Sequence, residues 1–66
     1  MTYALLAQVN EAEDAVARGD FSHAVMIHLS LSENQTPGAV MAAQIVDEIL
    51  IDGMRQRAIR LEVAAQ

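Results

Sequence analysis

The sequence predicts an all-α fold: a helical hairpin, residues 2–18 and 21–33, that packs against one long helix at residues 37–64. Apolar residues recur at spacings of three and four in the first and last thirds of the chain, which is the period of an amphipathic helix. A glycine follows the first segment, and a Thr-Pro pair precedes the last one. Glycine commonly ends helices and proline commonly begins them.

The small size of the chain indicates a single domain, residues 1–66, that associates with itself. A domain this small buries only about 60% of its unfolded surface and is marginally stable alone. The chain has no cysteine for a disulfide and only two histidines, so we expect neither a metal site nor a cofactor. Oligomerisation is the remaining common source of stability, and we therefore expect a homodimer.

The charge balance limits the classes of partner. The formal net charge is −5, and all four basic residues are arginines. An acidic protein is poorly suited to neutralise phosphates, which argues against nucleic acid and anionic membranes as partners. The start of the sequence lacks the basic region of a signal peptide, and no apolar run approaches the roughly 20 residues of a membrane span. We expect a cytoplasmic protein.

The first predicted helix, residues 2–18, has one apolar stripe and one polar face. Asp14 and Arg18 stand four residues apart in the order that favours an ion pair on a helix surface. The predicted core stripe is Leu5, Val9, Ala12 and Val16, with Leu6 beside it.

The turn after this helix has a specific pattern. We expect Gly19 to adopt the left-handed conformation of a helix C-cap and Asp20 to cap the next helix. The string from Ala15 to Ala24, with Gly19, Phe21 and Ala24 at matching places, resembles the inter-helix turn of tetratricopeptide-type hairpins. The bulky aromatic residue typical of that family's first helix is absent. The likeness covers one unit, and it implies a helical hairpin rather than an array.

Residues 21–33 are compatible with two structures. As a helix, the segment is expected to bury Phe21, Ala24, Val25, His28 and Leu29. Strict alternation of apolar and polar residues alternatively predicts a strand at residues 24–32, giving an α-β-α chain. A lone strand cannot satisfy its own backbone groups, so that strand would pair with its copy across a dimer.

The long predicted helix has more apolar surface than one neighbour can cover. Thr36 is a suitable N-cap and Pro37 a suitable first residue. One apolar stripe, which we expect to face the core, is Ala43, Val46, Leu50, Met54, Ala58, Leu61 and Ala65. A second apolar flank runs beside its first half, and with Met54 it forms the predicted dimer interface: Met41, Ala42, Ile45, Ile49 and Met54.

Gly53 interrupts the middle of this helix, where glycine costs about 1 kcal/mol relative to alanine. Three interpretations remain open from the sequence: a tolerated or slightly kinked position, close approach of another helix, or a break into two shorter helices.

No pattern of catalytic residues is present. The serines and histidines lie outside any recognisable nucleophile context, so we do not expect an enzyme. His23 and His28 are five residues apart and fall on different faces of a helix, which does not favour a shared metal. We expect His28 to be a partly buried packing residue.

The predicted partner-binding residues are Arg55, Arg57, Arg60 and Met26. The three arginines form the only basic cluster and can contact acidic groups in a bidentate manner. They radiate around the helix, since Arg55 and Arg57 point about 160° apart. Met26 is a flexible apolar residue on the otherwise polar face of the second helix, which favours adaptable protein contacts.

These observations favour a non-catalytic protein–protein interaction module: an adaptor or inhibitor that binds and modulates a larger protein. Small acidic adaptors and inhibitors are encoded by phages and mobile elements. The comparison is with that class of protein as a whole, because no sequence motif identifies one of them. A first alternative is a dimeric DNA-binding regulator or antitoxin-like protein, in which the strand and a helix broken at Gly53 would look like a ribbon–helix–helix arrangement. A second alternative is a chaperone for secretion or assembly.

Overall fold

The computed structural model describes residues 2–65, and within them it contains three α-helices and no strand. These are α1 (Tyr3–Ala17), α2 (Phe21–Glu33) and α3 (Pro37–Ala65). Each pair of helices is in contact, and the molecule measures 46 × 16 × 16 Å. Because the connections are short, α2 runs antiparallel to both α1 and α3. The predicted all-α fold is confirmed.

The alternative strand at residues 24–32 is wrong, because these residues lie within α2. Asp20 caps this helix, and the residues that α2 buries (Ala24, Ile27 and Leu31) have helical spacing. The ribbon–helix–helix arrangement requires a strand at this place, so the DNA-binding alternative no longer has the structural feature on which it was based.

The α1–α2 turn is held by the backbone of its glycine. The Asp20 N–H donates to the Ala15 carbonyl at 2.8 Å, and the Gly19 N–H donates to the Val16 carbonyl at 3.0 Å. This pair of bonds is the Schellman arrangement, which needs a left-handed residue, and Gly19 has φ of 80°. Asp20 then accepts a hydrogen bond from the His23 N–H at 3.2 Å. The predicted glycine C-cap and aspartate N-cap are both confirmed.

Replacing Gly19 by alanine is expected to lower the free energy of unfolding by about 1 kcal/mol, since an L-residue in the left-handed region is strained. No atom lies within 4 Å of the added Cβ, so the effect is one of backbone conformation alone. Asparagine tolerates this conformation better, and Gly19→Asn is expected to destabilise less. Urea unfolding followed by circular dichroism measures both variants. Equal losses for alanine and asparagine would contradict this explanation.

Threonines begin the other two helices. The Thr2 hydroxyl accepts a hydrogen bond from the Leu5 N–H at 3.3 Å. The Thr36 hydroxyl accepts one from the Ala39 N–H at 3.4 Å, as the Thr36-Pro37 pair predicted.

The core lies where the three helices meet and is built from small side chains. Half of its members are alanines, which allow helix axes to approach closely. Leu31 and Val46 are the largest side chains that are almost completely buried. The core residues are Leu5, Val9, Ala12, Ala15, Ala24, Ile27, Leu31, Ala39, Ala42, Ala43, Val46 and Leu50.

The buried face of α2 differs from the prediction. Ile27 and Leu31 are buried, whereas Val25 and Leu29, which were expected inside, are exposed. The sequence prediction assumed a buried stripe that begins at Phe21 and follows steps of four. On α2 that stripe faces away from α1. Because α2 contacts two helices, its buried face is centred on the Ala24–Leu31 line instead. His28 is half-buried, as predicted.

The hairpin covers only the first half of α3. Gly38 lies against Leu5 near the start of α1, and Gly53 lies against Val16 and Phe21 at the hairpin turn. Beyond that level, every residue from 54 to 65 is exposed. The predicted core stripe is therefore correct for Ala43, Val46 and Leu50 and wrong for Met54, Ala58, Leu61 and Ala65.

Candidate functional site

A cleft of about 700 Å³ lies where the hairpin turn meets α3, and we call it the corner cleft. The end of α1, the turn and the start of α2 form one wall, and the middle of α3 forms the other. The lining residues are Glu13, Val16, Ala17, Arg18, Gly19, Phe21, Ile49, Asp52, Gly53, Gln56, Arg57 and Arg60.

The lengths of the helices create this corner. At 1.5 Å per residue, the 15 residues of α1 span about 22 Å and the 29 residues of α3 about 43 Å. Since α1 and α3 begin at about the same level, roughly half of α3 extends past the turn. We call residues 54–65 the projecting segment. The step between the turn and the projecting segment is the corner cleft.

The floor of the corner cleft is apolar and closely packed. A Cβ placed on Gly53 would overlap the Val16 Cγ1 and lie 3.2 Å from the Phe21 Cε1. Gly53 therefore allows close approach of the hairpin, and α3 continues through it without a break. Val16 and Phe21 are half-buried, so each keeps some apolar surface facing the cleft.

The corner cleft has the opposite charge balance to the rest of the protein. Its lining contains three arginines (Arg18, Arg57 and Arg60) and two carboxylates (Glu13 and Asp52), a net charge of +1. The whole chain has a formal net charge of −5, so the remainder has −6. The cleft is thus a locally cationic surface on an acidic protein.

The arginines of the cleft make no ion pair with the carboxylates around them. The one close contact between a carboxylate and a basic side chain among residues 2–65 is a hydrogen bond between His23 Nε2 and Glu11 Oε1, at 2.9 Å, on the outside of the α1–α2 hairpin. Asp52 instead accepts a hydrogen bond from the Gln56 side chain at 3.0 Å. The Arg57 guanidinium lies 5.6 Å from the centroid of the Phe21 ring, within the range of a cation–π contact.

The predicted partner-binding residues separate into two groups. Arg57 and Arg60 line the corner cleft, whereas Arg55 does not. Arg55 and Arg60 point about 140° apart on α3, so Arg55 faces away from the hairpin turn. Met26 is 66% exposed and lies on the outer face of α2, away from the cleft.

The predicted dimer residues also separate. Ala42 is completely buried by the hairpin of its own chain, which removes it from any surface that a second copy reaches. Ile45 and Ile49 are half-buried against the same core. Met41 and Met54 are exposed. The second apolar flank is thus covered mainly within one chain, because α1 lies along it.

A smaller groove of about 270 Å³ lies between α2 and α3 on another side of the molecule. The Ser32 hydroxyl donates to the His28 carbonyl at 2.9 Å in its wall. Residues 2–65 bring no three histidine or carboxylate side chains together in a metal-binding group. None of the three described helices is long and apolar enough to cross a membrane.

The sequence prediction missed the hairpin side of the corner cleft: Arg18, Val16 and Phe21. The predicted helix lengths contained a signal for this side of the cleft, since a helix of about 28 residues cannot be covered end to end by a hairpin of much shorter helices. Together with the glycine at position 53, that mismatch in length points to a corner at the turn.

Comparison of the chain with protein-family models, curated proteins and solved structures found no match.

Proposed function

We propose that this protein is a non-catalytic interaction module whose corner cleft binds an acidic segment of a larger protein. One observation carries the proposal: three arginines without carboxylate partners border an apolar floor on a protein that is otherwise strongly acidic. An adaptor or an inhibitor would use such a site to recognise and modulate its target.

The side chains of the cleft suit a partner with both charge and one apolar group. Arginine presents a planar set of donors that matches a carboxylate in a bidentate manner. The contact between Arg57 and Phe21 holds one guanidinium over the floor and lowers the entropy lost when it binds. The exposed parts of Val16 and Phe21 offer a place for an apolar anchor beside the carboxylates.

A direct test uses a fluorescein-labelled peptide of glutamate and aspartate residues around one leucine, with binding followed by fluorescence anisotropy. The double variant Arg57→Glu/Arg60→Glu is expected to weaken binding about tenfold or more, since exposed charge pairs contribute up to about 1 kcal/mol each. Arg55→Glu is the matched control, because it reverses an arginine of the same helix that faces away from the cleft.

Both variants lie in the exposed projecting segment, so their circular-dichroism spectra are expected to match that of the parent protein. Binding should weaken as salt is raised, since screening acts on exposed charges. A peptide with lysine in place of the acidic residues should not bind the cleft, so the Arg57→Glu/Arg60→Glu change should not weaken any binding that the acidic remainder of the protein gives it. Equal loss in the Arg55 variant, or no binding of the acidic peptide at all, would overturn the proposal.

A further inference from the structure

The projecting segment carries a second surface, distinct from the corner cleft, that has the spacing of a coiled coil. Apolar residues follow each other at intervals of three and four over about two heptads, and all of them are exposed. Leu61, for example, is 61% exposed. We call these residues the α3 seam: Ile51, Met54, Ala58, Leu61 and Ala65.

The α3 seam is free to meet another helix. The hairpin ends at the level of Gly53 and approaches the projecting segment only on the side of the corner cleft, so no helix in residues 2–65 lies on the seam. On a helical projection the seam is centred about 150° from the residues that line the cleft, which places the two surfaces on nearly opposite sides of α3. A helix lying on the seam therefore leaves the cleft accessible.

We propose that the α3 seam binds the α3 seam of a second copy of this chain in antiparallel orientation. In this alignment the two projecting segments overlap along their whole length. Met54 lies opposite Ala65 of the second copy, and Ala58 lies opposite Leu61. Large residues thus face small ones at each layer, which allows close packing.

The flanking charges favour this alignment. On the flank of the seam that holds Arg55 and Glu62, the alignment sets Arg55 of each copy against Glu62 of the other. Sliding the copies by one heptad to include Ile51 would instead place Arg55 against Arg55. Parallel association would set Asp47 of both copies on the seam line opposite each other.

The dimer is expected to be weak. Two heptads that contain two alanines bury less than the roughly 1,200 Å² typical of stable interfaces. Its dissociation constant should therefore fall between about 10 µM and about 1 mM, a range that sedimentation equilibrium covers. The measurement uses the full chain at increasing concentration.

A charge exchange tests the alignment. Arg55→Glu turns two attractive pairs into two repulsive ones and is expected to raise the dissociation constant about tenfold. Glu62→Arg should act similarly, and the double variant Arg55→Glu/Glu62→Arg should restore the parent value to within about threefold. Leu61→Asp should abolish the dimer, while Val63→Asp, an equally exposed change off the seam, should leave it intact.

Cross-linking reports the orientation, because the chain has no cysteine of its own. A mixture of Ala58→Cys and Leu61→Cys proteins is expected to form the mixed disulfide faster than either variant links to itself. Faster linking of Leu61→Cys alone would mean a parallel dimer and would overturn the alignment.

A monomer at every concentration, or a dimer whose dissociation constant is unchanged by both Leu61→Asp and the charge exchange, would overturn the inference. Arg57 lies on the other flank of the seam, where the antiparallel alignment sets it opposite Ala64 of the second copy, so the Arg57→Glu/Arg60→Glu variant should dimerise normally and the cleft and the seam are tested separately. Loss of the dimer in this variant would instead indicate parallel pairing of Arg57 with Glu62 and would overturn the alignment.

Discussion

Replacing Leu31 by alanine is expected to lower the free energy of unfolding by about 2–5 kcal/mol, because Leu31 is only 2% exposed and its truncation removes buried apolar contacts and leaves a cavity in the core. Domains of this size have total stabilities of only a few kcal/mol, so this one change should leave much of the protein unfolded at room temperature. Urea unfolding and thermal melting measure the loss.

Leu29→Ala is the matched control for Leu31→Ala. It removes the same atoms from the same helix two residues away, but Leu29 is 52% exposed, and the expected change is within about 0.5 kcal/mol. The pair decides which face of α2 is buried. A larger loss at Leu29 than at Leu31 would restore the face that the sequence predicted and contradict the described packing.

Replacing Gly53 by alanine is expected to destabilise the protein by about 1–2 kcal/mol, although alanine is the better helix former by about 1 kcal/mol. The added methyl group would overlap Val16, whose branched side chain has one strongly preferred rotamer in a helix and cannot turn aside. A loss of this size should lower the melting temperature by several degrees.

Two further variants isolate the Val16 contact. Gly38→Ala meets only the end of the flexible Leu5 side chain, at 3.0 Å, so its effect is expected to stay within about 0.5 kcal/mol. The double variant Val16→Ala/Gly53→Ala should be more stable than the sum of its single changes by about 1 kcal/mol or more. Strict additivity, or a gain in stability from Gly53→Ala alone, would rule out close packing at this point.

The parts of the fold that depend on local chemistry could be predicted from the sequence. Gly19, Asp20 and Thr36 each act within three to five residues of themselves, and their caps are where the sequence placed them. Which face of α2 is buried depends instead on the positions of the two helices that pack against it. Ala24, Val25 and Ile27 are compatible with several burial faces, so periodicity alone gave the wrong one.

The candidate site could be predicted only in part. Arg57 and Arg60 were identified as a basic cluster, but their separation from Arg55 depends on where the hairpin ends along α3. Packing at Gly53 fixes that level, and it involves residues more than 30 positions apart in sequence. Because the hairpin ends at this level of α3, the predicted core stripe is no longer buried from Met54 onward and becomes part of the exposed α3 seam.

Nuclear magnetic resonance is the sharpest test of whether the corner cleft is a docking site for acidic segments. Amide chemical shifts of the full chain are followed while the acidic peptide is added. The changes are predicted to cluster at the hairpin turn around Gly19 and at residues 49–60 of α3, with saturation at one peptide per chain. Absent changes, or changes centred on the outer face of α2 around Met26, would rule out docking at the corner cleft.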